Sequence, residues 1–127
     1  MPRTIPQLTV KNVSASVKFY GDALEFVSTL LDPPDSPDFA VLENGDASLY
    51  LVSRSSREQE YQIKDLESNK SGVGVRIYLE VDNAEAVHAK IAQMGIVPNR
   101  PLSYNKAEDY TEFSFLDLDG YEIGVYS

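Results

Sequence analysis

The sequence predicts an α+β fold in which one order of elements, β-α-β-β-β, occurs twice. Three observations predict it. A short strand runs into an asparagine-capped helix at 10–12 and again at 81–83. A hairpin dipeptide occurs in each half, first Asn44-Gly45 and later Asp119-Gly120. The two pairs of matching pieces lie at nearly the same offset, which indicates an internal repeat.

The first module occupies about 1–53. Residues 5–10, IPQLTV, read as a strand, and Asn12 is a suitable helix N-cap. The helix that follows carries its apolar residues at the spacing of one helical face, namely Val13, Val17, Tyr20 and Leu24. The runs FVSTLL, FAVLE and SLYLV complete the module as strands, and Asn44-Gly45 forms a hairpin between the last two.

A polar connector at about 54–72, with room for a short helix around 61–66, leads to the second module at about 73–127. The strand VRIYLEV precedes a helix that is capped by Asn83 and ended by Gly95. Its apolar face consists of Ala84, Val87, Ile91 and Met94. A short strand near Ile96, a polar loop at 103–112, and the strands EFSFLD and YEIGVY around Asp119-Gly120 are expected to follow.

Composition limits the classes of function. A chain of 127 residues that is 43% hydrophobic suits one globular domain. The net charge of −9 disfavours nucleic acid and anionic membranes. With no cysteine, disulfides and thiolate chemistry are excluded. The start MPRTIPQLTV lacks the apolar run of a signal peptide, so a soluble cytoplasmic protein is expected.

Three pieces carry a family resemblance: VKNVSASVKFYGDALEF, VDNAEAVHAKIAQMG and FLDLDGYEIGVY. Together with the repeat, they make the chain resemble the glyoxalase / bleomycin resistance / extradiol dioxygenase superfamily, whose members are also called vicinal oxygen chelate proteins. The resemblance implies two tandem βαβββ modules whose curved mixed sheets enclose a cavity, with the helices outside. It also implies a homodimer, because many members form one.

The family's enzymes hold a divalent metal through His in the first strand, His or Gln in the first strand of the second module, and Glu in the last strand. Carried over by counting from the matched pieces, these positions fall on Ile5, Arg76 and Gly124. Isoleucine and glycine have no side-chain ligand, and arginine is a permanent cation. We therefore expect no metal and no cofactor. The one histidine, His88, lies on the second helix and is expected to be an ordinary boundary residue.

The strand VRIYLEV alternates, because successive side chains point to opposite faces. Ile77, Leu79 and Val81 are expected to pack under the second helix. The opposite set is expected to line the cavity with residues of the same parity from other strands. These candidate ligand-binding residues are Gln7, Thr9, Tyr50, Arg76, Tyr78, Glu80, Ser114, Glu122 and Tyr126, with Glu112 a further candidate.

Buried polar groups must be paired, so these side chains either bond to one another or await a ligand. Arg76 has Glu80, Glu122 and a ligand as alternative partners. Bidentate hydrogen bonds from Arg76 suit an anionic or carbonyl group, whereas the neighbouring carboxylates suit a cationic one. Tyr104 and Tyr110 of the 103–112 loop are candidates for stacking on a flat ligand.

Three functions remain open at this stage. The first is metal-independent binding of a small organic molecule, an antibiotic among the candidates, as in bleomycin resistance. The second is a metal-dependent lyase, isomerase or dioxygenase with an atypical site made of Gln7, Glu80 and Glu122. The third is an interaction or regulatory module. Whether the protein is an enzyme is left open.

Overall fold

The computed structural model describes residues 2–61 and 71–127, and side chains within them except those of 58–61. The described residues form eight strands and three helices in two four-stranded mixed sheets. They comprise two units, one ending at Ser71 and the other spanning Gly72–Ser127. The predicted α+β fold of two tandem βαβββ modules is confirmed.

The first module consists of β1 and α1 followed by a three-stranded meander. Its elements are β1 (Gln7–Val10), α1 (Val13–Leu24), β2 (Val27–Asp32), β3 (Phe39–Asn44) and β4 (Ala47–Ser53), after which comes α2 (Arg54–Tyr61). The strand order is β1-β4-β3-β2, with β1 parallel to β4 and the other pairs antiparallel. One face of the sheet is apolar and buried, and α1 packs against it through Phe19, Tyr20 and Leu24.

The second module repeats this arrangement. Its elements are β5 (Arg76–Glu80), α3 (Ala84–Gln93), β6 (Arg100–Asn105), β7 (Tyr110–Leu116) and β8 (Glu122–Tyr126). The strand order is β5-β8-β7-β6, with β5 parallel to β8. α3 packs on β7 and β8, where Phe113, Phe115, Ile123 and Val125 are buried.

Both helices begin at the predicted asparagines. The side-chain oxygen of Asn12 accepts a hydrogen bond from the backbone N–H of Ala15 at 2.9 Å, and that of Asn83 accepts one from Ala86 at 3.0 Å. Each bond satisfies a backbone donor that the first turn of a helix leaves without a partner. The two modules therefore share the same helix-capping hydrogen bond as well as the same order of elements.

Three expectations about element positions are wrong. The first strand starts at Gln7, so Ile5 precedes it; Pro6 has no N–H with which to extend the ladder. No strand forms at Ile96, whose N–H bonds back to the carbonyl of Ile91 after Gly95 turns with φ +80°. The loop expected at 103–112 is instead the end of β6, a tight turn and the start of β7.

β6 escaped prediction because it is an edge strand. The sequence RPLSYN lacks the alternation of a half-buried strand, and Pro101 argues against a central one. At an edge, however, proline and a register irregularity are tolerated, and the register shifts between Arg100 and Ser103. The short helix expected around 61–66 lies outside the described residues apart from Tyr61, the last residue of α2. No helix in the described part of the chain is both long and apolar enough to cross a membrane.

Replacing Asn83 with alanine is expected to lower the free energy of unfolding by about 1 kcal/mol, because the first turn of α3 loses its cap. Gln93→Ala, at the exposed other end of the same helix, is the matched control and is expected to change stability by less than about 0.5 kcal/mol. Urea denaturation followed by circular dichroism measures both. Equal stabilities of the two variants would contradict the capping role.

Candidate functional site

The exposed face of the second sheet is polar, and the strand register explains which residues share it. Arg76 lies opposite Glu122, Tyr78 opposite Gly124, and Glu80 opposite Tyr126. The same register places Ser114 beside Gly124 on the other side of β8. The residues of intervening parity point to α3. We call the face that carries Arg76, Tyr78, Glu80, Arg100, Glu112, Ser114, Glu122, Gly124 and Tyr126 the polar face.

Arg76 and Glu122 form the ion pair at one end of the polar face. Arg76 Nε is 3.0 Å from Glu122 Oε1. The other carboxylate oxygen of Glu122 accepts hydrogen bonds from Ser114 Oγ at 2.7 Å and from Asn99 Nδ2 at 3.1 Å. Glu122 therefore has three donors, and Arg76 pairs with Glu122 rather than with Glu80.

Tyr78 lies between two guanidinium groups. Its phenolic oxygen accepts a hydrogen bond from Arg76 Nη1 at 3.1 Å and another from Arg100 Nη1 at 3.3 Å. Arg100 in turn donates from Nη2 to Glu112 Oε1 at 2.8 Å. Two cations thus converge on one neutral oxygen, and each is balanced by a carboxylate of its own.

Sequence reasoning missed Arg100 and Asn99, which both reach the polar face from β6 and the residue before it. Arg100 pairs with Ser114 in the β6–β7 register, and the N–H of Asn99 bonds to the carbonyl of Ser114 at 2.8 Å. Regular pairing counted back from the turn at 106–109 would place Arg100 opposite Phe115, and the register shift between Arg100 and Ser103 brings it to Ser114 instead. Because 100–102 was not assigned to a strand, its residues had no expected face.

The ring of Tyr78 covers the position opposite it in β8. A Cβ atom added to Gly124 would lie 2.7 Å from two carbons of the Tyr78 ring. Real Cβ atoms do not approach other atoms so closely, so the tyrosine and the glycine are matched in size. The two positions are linked, because glycine at 124 gives the tyrosine ring room to lie across the sheet.

A row of tyrosines continues along the polar face. The ring centroids of Tyr78 and Tyr126 are 6.2 Å apart, and those of Tyr126 and Tyr110 are 6.3 Å apart, both with edge-to-face geometry. Such contacts favour aromatic pairs beyond their buried area. Tyr78 is 47% exposed, so part of this row is open to solvent. Tyr104, a candidate for stacking on a flat ligand, donates its hydroxyl hydrogen to Asp109 Oδ1 at 2.7 Å.

The predicted site residues fall into two groups. Gln7, Thr9 and Tyr50 share one face of the first sheet, where the Tyr50 ring contacts Phe39 at 5.2 Å between centroids. The other predicted residues, namely Arg76, Tyr78, Glu80, Ser114, Glu122 and Tyr126, share the polar face of the second. The Glu80 side chain is exposed there and has no hydrogen bond or ion pair with another described residue. His88, on α3, packs edge-to-face on Phe113 of β7 with 5.2 Å between ring centroids.

The hydrogen bonds of the polar face shift its titrations. The hydrogen bond from Ser114, with those from Arg76 and Asn99, holds the pKa of Glu122 below its usual range despite partial burial. Hydrogen bonds to Tyr78 and Glu122 raise the pKa of Arg76, and the bond to Tyr78 raises that of Arg100 although the Arg76 charge opposes it. Both guanidinium groups and Glu122 are therefore charged at neutral pH.

The second module does not offer the ligands that the family's metal requires. A divalent ion needs deprotonated carboxylates or neutral imidazoles, and the two positions of this module hold a guanidinium and a glycine. The Tyr78 ring lies where a side chain at Gly124 would begin. The carboxylate of Glu122, which lies beside Arg76, already accepts three hydrogen bonds. Among residues 2–61 and 71–127, no group of three or more His, Cys, Asp or Glu side chains is placed to hold a metal ion.

The fold and the matched residues define a class of protein. Residues 4–125 match the sequence model of the Glyoxalase/Bleomycin resistance protein/Dioxygenase superfamily. The chain belongs to this superfamily, as its sequence pattern predicted. No curated protein matches it in a sequence search.

Several solved structures share the fold. TioX from Micromonospora sp. ML1 is 12% identical with a TM-score of 0.80, and the match covers 99% of this chain and 98% of that one. A protein of unknown function from Agrobacterium tumefaciens str. C58 is 24% identical with a TM-score of 0.77, covering 99% and 93%. A superfamily member from Sphaerobacter thermophilus DSM 20745 is 16% identical with a TM-score of 0.71, covering 99% and 97%. At these identities the likeness shows the fold alone.

Ser114→Ala is expected to lower the free energy of unfolding by about 1 kcal/mol at neutral pH, because the fully buried Ser114 hydroxyl donates to a charged carboxylate. It is also expected to raise the pKa of Glu122. A depressed carboxylate pKa contributes stability above the ordinary value of 4.5, and that contribution is lost as the pH falls through the folded value. The stability gap between wild type and variant should therefore shrink at about pH 3.

Urea denaturation at the two pH values and a carboxyl NMR titration measure these effects. Ser103→Ala is the matched control, because this serine is exposed on β6. A stability gap that is equal at both pH values would mean that Ser114 contributes packing alone and does not act through Glu122.

Proposed function

We propose that this chain is a metal-independent binding protein, which captures a small organic molecule on the polar face of its second module. The observation that carries the proposal is the substitution of the metal-ligand positions by Arg76 and Gly124. These residues are joined to Glu122 and Tyr78 in one hydrogen-bonded and packed arrangement. Such an arrangement supplies oriented donors and an aromatic surface, which are the features of a ligand pocket.

Sequestration of an antibiotic or a similar toxic compound is one form of this function. The superfamily's description names bleomycin resistance proteins, and resistance to a toxic compound is compatible with a protein that only binds it. Function does not follow from fold alone, and the support here comes from the residues of the polar face. A cytoplasmic location, expected from the sequence, is part of the same proposal.

The metal-dependent alternative has less support. It requires Glu122 as a ligand, yet three protein donors already engage both oxygens of that carboxylate. A metal would have to displace the Arg76 guanidinium, because a second cation beside it is repelled. The exposed Glu80 could act as a ligand, but a single carboxylate is too few to hold a metal ion.

Ligand binding is expected to be independent of metal. A thermal-shift screen of a small-molecule library, run with the protein as purified and after treatment with EDTA, should give the same hits and the same shifts. Protein reloaded with Zn²⁺, Ni²⁺, Mn²⁺ or Fe²⁺ should behave like the EDTA-treated sample. Hits that vanish with EDTA and return with one of these ions would overturn the proposal.

A homodimer is part of the proposal, by analogy with the superfamily. Light scattering on purified protein is expected to give about twice the 14.1 kDa mass of the chain. A mass that stays at one chain over a wide concentration range would contradict this expectation.

A further inference from the structure

We propose that the ligand of the polar face carries an anionic oxygen group, specifically a carboxylate on a flat organic body, and that Arg76, Tyr78 and Arg100 bind it together. This inference rests on the proposed binding function and adds the chemical class of the ligand. It follows from counting which hydrogen-bonding groups of the face are already used. The unused ones are mainly donors.

The donors exceed the acceptors around Tyr78. A guanidinium has five N–H donors. Arg76 uses two of them, on Glu122 and Tyr78, and Arg100 uses two, on Glu112 and Tyr78. Within the described part of the chain, the remaining donors of both side chains have no acceptor.

The Tyr78 hydroxyl also has an unused donor. Both of its lone pairs receive a hydrogen bond, one from each arginine, and a hydroxyl has one hydrogen of its own. That hydrogen has no acceptor among the described residues. Three side chains from two strands therefore offer unused donors next to one another, and a ligand that supplies acceptors can bind to all three.

The two carboxylates of this region, those of Glu122 and Glu112, are each paired with an arginine. Glu122 accepts from three donors. Glu112 is 13% exposed and accepts from Arg100 Nη2 at 2.8 Å. A cationic ligand at this end would find both carboxylates already paired with an arginine and would be repelled by two guanidinium groups.

Glu80 provides the internal contrast, because it is a carboxylate of the polar face that has no arginine partner among the described residues. It lies two residues along β5 from Tyr78, roughly 7 Å away at the rise of a strand. Recognition through Glu80 would favour a cation, whereas recognition around Tyr78 favours an anion. The exposed edges of Tyr78 and Tyr126 suit a flat ring in either case.

Three probes with one ring and different head groups separate these possibilities: 2-naphthoate, neutral 2-naphthamide and cationic 2-naphthylmethylammonium. Calorimetry and ¹⁵N NMR of the full chain measure affinity and location. We expect 2-naphthoate to bind about tenfold more tightly than 2-naphthamide, because hydrogen bonds to a charged acceptor are the stronger ones. The largest shifts should fall at β5, β6 and β8. The ammonium probe should bind most weakly.

Arg100→Gln is expected to weaken 2-naphthoate binding by about tenfold and 2-naphthamide binding by much less. Lys106→Gln is the matched control, because it removes the same charge from the exposed β6–β7 turn and should change either affinity by less than about twofold. Tyr78→Phe keeps the ring over Gly124 and removes only the hydroxyl, so it tests the site even if loss of Arg100 disturbs the fold. Glu80→Gln should leave 2-naphthoate binding equal or slightly tighter.

Two results overturn the inference while the binding function stands. One is tightest binding of the ammonium probe, weakened by Glu80→Gln. The other is 2-naphthoate binding on the polar face that is equal in wild type, Arg100→Gln and Tyr78→Phe. If none of the probes shifts a signal of the polar face, the proposed function itself fails there, and the inference fails with it.

Discussion

The parallel pairing of β5 with β8 in a single register is the constraint on which the rest of the second module depends. It places Arg76 opposite Glu122 and Tyr78 opposite Gly124. A slip of β8 by one residue would move Glu122 and Gly124 to the apolar side, because successive residues of a strand alternate faces. That slip would cost the burial of Ile123 and Val125 under α3. The apolar core therefore fixes the geometry of the polar face, although it shares no side chain with it.

The sequence predicted most of the fold because its local signals agree. Asn12 and Asn83 cap their helices, Asn44-Gly45 and Asp119-Gly120 turn between strands, and the strands alternate. It predicted the Arg76 side of the candidate site from the alternation of β5 alone. It missed the Arg100 side because an edge strand is paired on one side only and carries little periodic signal. Pairings such as Arg76 with Glu122 depend on register between strands far apart in sequence, which a local pattern does not contain.

The two modules show how one scaffold accommodates different chemistry. Each has a strand, a capped helix and a meander in the same order, and each buries the same face of its sheet beneath the helix. On the opposite face the modules diverge: Tyr50 packs on Phe39 in the first, whereas ion pairs surround Tyr78 in the second. Burial constrains the helix-facing residues to be apolar, while the other face is free to vary. The two modules are therefore expected to differ most in the residues of the face away from the helix.

Arginine at a position where relatives hold a metal ligand retains positive charge but changes what that charge does. A guanidinium remains protonated at any relevant pH and presents donors in a fixed plane. It can orient an oxygen acceptor, but it has no vacant coordination position at which to activate water, as a divalent metal does. Because the tyrosine between Arg76 and Arg100 accepts from both, the two charges are held near each other at a cost in repulsion. An anion between them would relieve that repulsion, which favours the anionic ligand proposed above over a cationic one.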